Sequence, residues 1–277
     1  MKKNIPAIAI GCVLLLGVCV LLYPVVSAML AKRAQSAAIS KYCSMVKSMP
    51  SSEIAKMKAD AQKYNESLCG TVLADPFSGG RNLGSGCGKL LNVGEVIGYL
   101  EIPKIKVYLP IYHGTTEEIL QKGIGHLENT SLPIGGKNTH AVLSGHRGLP
   151  SATLLTDLDQ LAKGDKFYIH VLDEVLAYGV DQVKVVEPQN TSDLTIRQGK
   201  DYVTLVTCTP YGINTQRLLV RGERTAYAAA KTEQAAAPTA PETPKKTLPA
   251  PDILLPAALL LFAVTAWLLL RRRKKKG

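Results

Sequence analysis

The chain has 277 residues, 46% hydrophobic and only 5% aromatic, with a formal charge of +11. That length suits one domain of ordinary size with appendages, or two small domains. Lys2, Lys3 and residues 271–276 carry eight of the positive charges and leave only +3 for residues 4–270, so a phosphate-binding groove is poorly supported and nucleic acid is not an expected partner.

The charge reads as membrane topology instead. Residues 5–30 are free of charge, enough for about 39 Å of helix against a hydrocarbon core of about 30 Å. Residues 253–270 are also uncharged and run into the basic tail at 271–277. Lys and Arg flank both segments on their outer ends, which puts residues 1–4 and the tail in the cytoplasm and residues 31–252 across the membrane. A two-pass membrane protein is expected, which argues against a soluble cytosolic enzyme. A cleaved signal peptide is the competing reading of the first segment, with Val26-Ser27-Ala28 as a small-residue cleavage site. The apolar run exceeds a usual signal core, so an uncleaved anchor is favoured.

Along the chain, residues 31–69 read as helical. Ala55, Met57, Ala61, Tyr64 and Leu68 recur at near-helical spacing, with Ser51 or Ser52 as a cap after Pro50. Residues 70–90 form a long loop: six glycines lie between Gly70 and Gly88, around Asp75-Pro76-Phe77. From there the texture changes to β-branched runs at 97–102, 107–111, 140–144, 166–172, 175–186, 202–208 and 217–222, interrupted by one helical stretch near 154–161. So many short strands predict a closed barrel or a sandwich over residues 91–225. Residues 226–252, rich in Ala, Thr, Pro, Lys and Glu, predict an extended linker. Motif, apolar helix and basic tail are the parts of a cell-wall anchoring signal, but Leu248-Pro249-Ala250-Pro251-Asp252 lacks the Thr and Gly of an LPxTG motif. Residues 253–270 therefore read as a plain stop-transfer helix.

Six cysteines need sorting. Cys12 and Cys19 fall within the first apolar segment and read as small apolar fillers, and Cys43 precedes the strand-rich part. Cys69 and Cys87 flank the glycine-rich loop, where a disulfide would staple its ends, a bond that an extracytoplasmic site permits without requiring. Cys208 ends a strand whose alternation puts Tyr202, Thr204, Val206 and Cys208 on one face. A hairpin through 209–215 would return Arg217 beside it, where a guanidinium favours the thiolate and can hydrogen-bond an oxyanion. A buried strand-end thiol beside a surface arginine fits the pattern equally well. A nucleophilic cysteine usually needs an imidazole. Of the five histidines, His146 in Ser144-Gly145-His146-Arg147-Gly148 lies just past a strand between glycines, whereas His113, His126, His140 and His170 sit in or beside strands as structural residues do. No HExxH, CxxC pair or carboxylate–histidine cluster has metal-ligand spacing, and Gly135-Gly136-Lys137 lacks the rest of a phosphate loop, so neither metal nor cofactor is expected.

Thr204-Leu205-Val206-Thr207-Cys208-Thr209-Pro210-Tyr211-Gly212-Ile213-Asn214-Thr215, followed by Arg217-Leu218-Leu219-Val220-Arg221-Gly222, closely resembles the active-site hairpin of class C, or pilus-type, sortases. Ser144-Gly145-His146-Arg147-Gly148-Leu149-Pro150 and Gly125-His126-Leu127-Glu128-Asn129-Thr130-Ser131-Leu132-Pro133 are similar to motifs of the same family, and the resemblance covers roughly residues 75–225. It implies an eight-stranded β-barrel, which the N-terminal helices read above and the two membrane segments would flank. It also implies a site with Cys208 as nucleophile, His146 as acid/base and Arg217 as the substrate- and oxyanion-stabilising group. Gln216 departs from the family, which often has His there; facing away from Cys208, it should matter little. His126 lies in a family motif that is not the catalytic one.

The loop gains meaning from the same resemblance. Asp75-Pro76-Phe77 resembles the lid motif of these sortases, in which Asp75 would pair with Arg217 and Phe77 would cover Cys208; an ordinary Asp-Pro turn is the plain alternative. The implied activity is that of a cysteine transpeptidase of the peptidase class on the outer face of a Gram-positive-type cell. It would cleave an LPxTG-like signal on pilin or surface proteins and pass the acyl group to a pilin lysine. Rivals are a sortase attaching proteins to cell-wall peptide, a non-catalytic scaffold that binds sorting signals, and a membrane cysteine protease releasing peptide to water.

Overall fold

The structure is a computed structural model that describes residues 5–68, 73–77 and 87–227. The expected second membrane helix at 253–270, the basic tail, most of the linker and of the glycine-rich loop, and Cys69 lie outside those residues. The described residues divide into two units, 5–26 and 27–227.

Helix α1 runs Ile5–Ser48, with Pro24 inside it. Within it lies a described stretch long and apolar enough to cross a membrane, and Val13, Leu16, Leu21 and Val25 on it are exposed. A proline disfavours helical geometry at the residue before it, and the helix ends ahead of Met49-Pro50. Helix α2, Ser51–Ser67, then starts anew. The expected serine cap is corrected here. Pro50 itself is the cap, at φ −62° and ψ 142°, and its carbonyl accepts from the Glu53 and Ile54 N–H groups without side-chain help.

Two polar contacts dock these helices on the strand-rich part of the chain. The Leu172 N–H donates to the Tyr42 hydroxyl at 2.6 Å, which in turn donates to the Ile97 carbonyl. On α2 the buried Asn65 accepts from the Leu132 N–H at 2.7 Å and donates to its carbonyl at 3.1 Å, satisfying both backbone groups of a fully buried residue.

Eight strands form a closed barrel in the order β1-β2-β3-β4-β7-β8-β6-β5. They are β1 (Gly98–Ile102), β2 (Val107–His113), β3 (Ile124–His126), β4 (Thr139–Ser144), β5 (Lys166–Val171), β6 (Glu174–Val186), β7 (Asp201–Thr209) and β8 (Gln216–Thr225). Pairs β2–β3 and β4–β7 are parallel, and the others are antiparallel, including the closing pair β1–β5. Closure leaves no edge on which another chain could add. Leu100, Ile111, Leu143, Phe167, Ile169, Leu205 and Val220 are wholly buried and belong to one core cluster, each stabilising the fold by about 1.5–3 kcal/mol.

Seven of the strands match the expected runs to within a few residues. The three-residue β3 was not anticipated. The expected helix at 154–161 is corrected to a turn followed by the short 3-10 segment Leu158–Gln160. Leu154 sits at φ +42°, outside helical geometry, while Leu154, Leu155, Leu158 and Leu161 are all buried. Their spacing reflects burial of an irregular segment.

Candidate active site

Strand β7 is buried along almost its whole length, on both faces. Val203 and Leu205 join the main core, while Val206 packs in a second cluster with Leu127, Val142, Val186, Leu194 and Leu219. Alternation puts Cys208 on the Val206 face. Leu73 and Phe77 pack against that second cluster, so two loop residues cover the face that carries the thiol.

In the β7–β8 ladder Cys208 stands directly opposite Arg217. Their Cβ atoms are therefore neighbours across the strands. Arg217 has its donors engaged. Nε and Nη2 grip the Asp75 carboxylate at 2.8 and 2.6 Å, and Nη1 donates to the Asn214 and Gln216 carbonyls at 3.1 Å each. Both partners of the ion pair are about nine-tenths buried, so the fork-to-fork geometry is worth more than a surface pair. The Phe77 ring lies 5.1 Å from the Arg217 guanidinium carbon and 5.6 Å from the His146 ring. One aromatic side chain thus sits between the arginine and the histidine.

His146 follows the end of β4, and its backbone is fixed from three sides. The Gly145 N–H donates to the Val206 carbonyl, Thr207 Oγ1 donates to the Gly145 carbonyl, and the Leu155 N–H donates to the His146 carbonyl. At Gly145 a Cβ would crowd the Ile124 and Leu155 side-chain carbons, to within 3.0 Å, so a larger residue needs those side chains to move. At Gly148, φ is +78° and a Cβ would meet the Tyr211 ring at 3.0 Å. The His146 imidazole Nε2 is 3.2 Å from both oxygens of Glu117, the first residue of helix α3 (Glu117–Lys122). Sequence reasoning missed Glu117. No motif links it to His146, and only folding brings them together.

The electrostatics oppose a thiolate while the loop is in place. Burial pushes the Cys208 thiol above its ordinary range, Arg217 pulls it down, and the Asp75 carboxylate pushes it up again. Asp75 therefore neutralises the cation that would otherwise favour the thiolate.

The remaining sequence candidates sort cleanly. Gln216 pairs with Thr209 in the ladder and donates to Glu187. His140 bonds Thr195 and Thr204, and His170 pairs with Glu101 while stacking on Tyr99. Cys69 is not among the described residues, so the expected Cys69–Cys87 staple is not addressed by this geometry. Cys87 instead stands close to His113 and His126, a grouping that the spacing along the chain does not reveal.

A family model described as "Sortase domain" matches residues 100–225. Among curated proteins, the chain is 34% identical to Sortase D of Bacillus subtilis over 134 residues, covering 47% of this chain and 65% of that protein. It is 32% identical to Sortase A of Bacillus anthracis, covering 47% of this chain and 60% of that one. The chain thus spans less than two thirds of the length of these curated relatives. Solved structures match more fully. Sortase C of Streptococcus pneumoniae, whose description concerns catalysis and pilin substrate specificity, is 49% identical, with 69% of this chain and 97% of that chain covered and a TM-score of 0.65. Sortase C1 of Streptococcus agalactiae is 47% identical, with 70% and 97% covered and a TM-score of 0.66. Sortase C-1 of Actinomyces oris is 44% identical, with 63% and 99% covered and a TM-score of 0.61.

Proposed function

Because the chain belongs to the sortase family, we propose that it is a membrane-anchored cysteine transpeptidase that polymerises pilin subunits, held closed in this structure by its own loop. Cys208 is the nucleophile, His146 the acid/base and Arg217 the group that binds substrate and the developing oxyanion. Asp75, Pro76 and Phe77 form the lid. The observation that carries the reading is the occupation of one site by one loop: Asp75 holds Arg217, and Phe77 lies against both Arg217 and His146. The catalytic domain lies outside the cell, tethered by the apolar part of α1 and by a second membrane helix at 253–270, with residues 226–252 as the linker. The likeness to solved pilus-type sortases supports the pilin substrate.

Withdrawal of the lid frees the Arg217 guanidinium and removes the carboxylate that disfavours the thiolate. The Cys208 sulfur then attacks the threonine carbonyl carbon of an LPxTG-like signal, and Arg217 donates to the oxyanion. Collapse of the tetrahedral adduct breaks the Thr–Gly bond as His146 gives its proton to the leaving glycine amine, leaving a thioester on Cys208. A pilin lysine amine attacks that thioester, His146 takes the proton, an isopeptide bond forms and the sulfur departs. These steps use no cofactor. Membrane tethering holds the site near substrates that are themselves membrane-held and raises their effective concentration.

The test supplies the full chain in detergent with an LPxTG peptide and a lysine-bearing acceptor, and resolves products by mass. A cross-linked product that outgrows the hydrolysed peptide as acceptor rises supports transpeptidation. Hydrolysed peptide alone at every acceptor concentration would make the chain a protease.

A further inference from the structure

Cys87, His113 and His126 lie apart from the Cys208 site and come together from three places in the fold. Cys87 precedes β1, while His113 and His126 are the last residues of β2 and β3 and face each other in the parallel ladder. One ligand-type atom from each residue lies within 4.8 Å of the other two. Cys87 is 1% exposed and His126 wholly buried.

The hydrogen bonds fix which imidazole nitrogens are available. His113 Nε2 is 2.6 Å from the Leu90 carbonyl, and His126 Nε2 is 2.9 Å from the Ser131 carbonyl. A carbonyl only accepts, so each Nε2 carries the proton and each Nδ1 keeps its lone pair. Among the described residues neither Nδ1 has a hydrogen-bond partner, although both are buried from solvent. A buried imidazole nitrogen left without a partner is costly. Imidazoles whose second nitrogen donates to a backbone carbonyl are oriented as metal ligands are. The Tyr64 hydroxyl, also buried, lies against Cys87.

We propose that Cys87, His113 and His126 form a structural site for a zinc-class divalent cation, bound through one thiolate and two Nδ1 atoms. The Tyr64 hydroxyl, beside Cys87, completes the set. A borderline-soft ion suits this mixed sulfur and nitrogen set, and the ligand separations on the order of 3.5 Å that tetrahedral coordination needs fall within the 4.8 Å that bounds the group. Binding displaces the Cys87 thiol proton to solvent as the metal–sulfur bond forms, with no change of oxidation state. The ion would tie the segment entering β1 to the ends of β2 and β3. Leu127, next to His126, packs in the cluster that supports Phe77, so the site braces the floor beneath the lid. The same sulfur cannot also join Cys69, so the metal and the disulfide are mutually exclusive.

The test uses the full chain in detergent, stripped with chelator and reloaded with zinc or cobalt(II), in a Cys208→Ala background that removes the other buried thiol among the described residues. One zinc per chain is expected, with thiolate-to-cobalt charge-transfer bands and tetrahedral d–d bands. Free zinc at about 100 times its Kd should raise Tm by roughly 5–10 °C. Cys69→Ser should leave all three intact, and Cys87→Ser should abolish them. If Cys87→Ser misfolds, the half-buried His113→Ala carries the comparison, and the cobalt spectrum of the unaltered site needs no variant. Absence of zinc and of a Tm shift would overturn the proposal. So would zinc retained by folded Cys87→Ser, or a Cys69–Cys87 disulfide found intact by thiol counting.

Discussion

Asp75 and Arg217, 142 positions apart, share a two-pronged ion pair with N···O distances of 2.8 and 2.6 Å. The pair sits directly across the ladder from Cys208. Its effect reaches past stability: the carboxylate consumes the donors that an incoming carbonyl would need and cancels the charge that would ionise the thiol.

Removing that carboxylate should therefore change the thiol itself. Asp75→Ala with Phe77→Ala takes away both a contribution that raises the Cys208 pKa and part of the burial that dominates it. The pH profile of Cys208 alkylation should move to lower pH. For every pH unit by which it moves, the thiolate fraction at neutral pH rises about tenfold and labelling becomes faster, by a factor below ten because a less basic thiolate is less nucleophilic. An unchanged profile would mean that the lid does not set the state of the thiol.

The two-way bond between Asn65 and Leu132 makes a separate claim about how α2 is held. Asn65→Ala strands a buried N–H and weakens its neighbouring carbonyl, and should lower stability by about 2 kcal/mol. Denaturant unfolding checks this, with labelling of Cys208 expected to stay close to the parent.

His140 is held down to about 4, chiefly by burial and further by Arg221 and Arg197; the Thr195 carbonyl and Asp181 act the other way. Its unfolded value is about 6.5. Between those values the unfolded chain binds a proton that the folded chain refuses, so this contribution is complete above pH 6.5 and is lost as pH falls toward 4. The slope approaches about 1.4 kcal/mol per pH unit. Unfolding measured from pH 7 to 5 should show the loss, and His140→Gln should flatten it by about one proton.

The strands were legible as short β-branched runs set off by Gly, Pro and Asn. The run Tyr202–Cys208 is buried on both faces, so it shows no alternation of burial, and its register with Arg217 followed from the hairpin. Strand β3 was not legible, because three residues are too few to show a period. Leucines at 154, 155, 158 and 161 imitated a helix because a core can draw on a turn as readily as on a helix face. Asp75 acquired a role through resemblance rather than pattern. Glu117 and the Cys87–His113–His126 group could not be read at all, because their proximity is made by barrel closure and strand pairing rather than by spacing along the chain.

The most direct measurement is intact mass of the full chain after exposure to an LPxTG peptide, compared with Cys208→Ala, His146→Ala and the Asp75→Ala/Phe77→Ala pair. The account predicts a thioacyl adduct on the parent chain that forms faster when the lid residues are removed. It should slow by about 10²–10⁴-fold in His146→Ala and be absent in Cys208→Ala. An adduct that persists in Cys208→Ala, or one that forms no faster without Asp75 and Phe77, would contradict it.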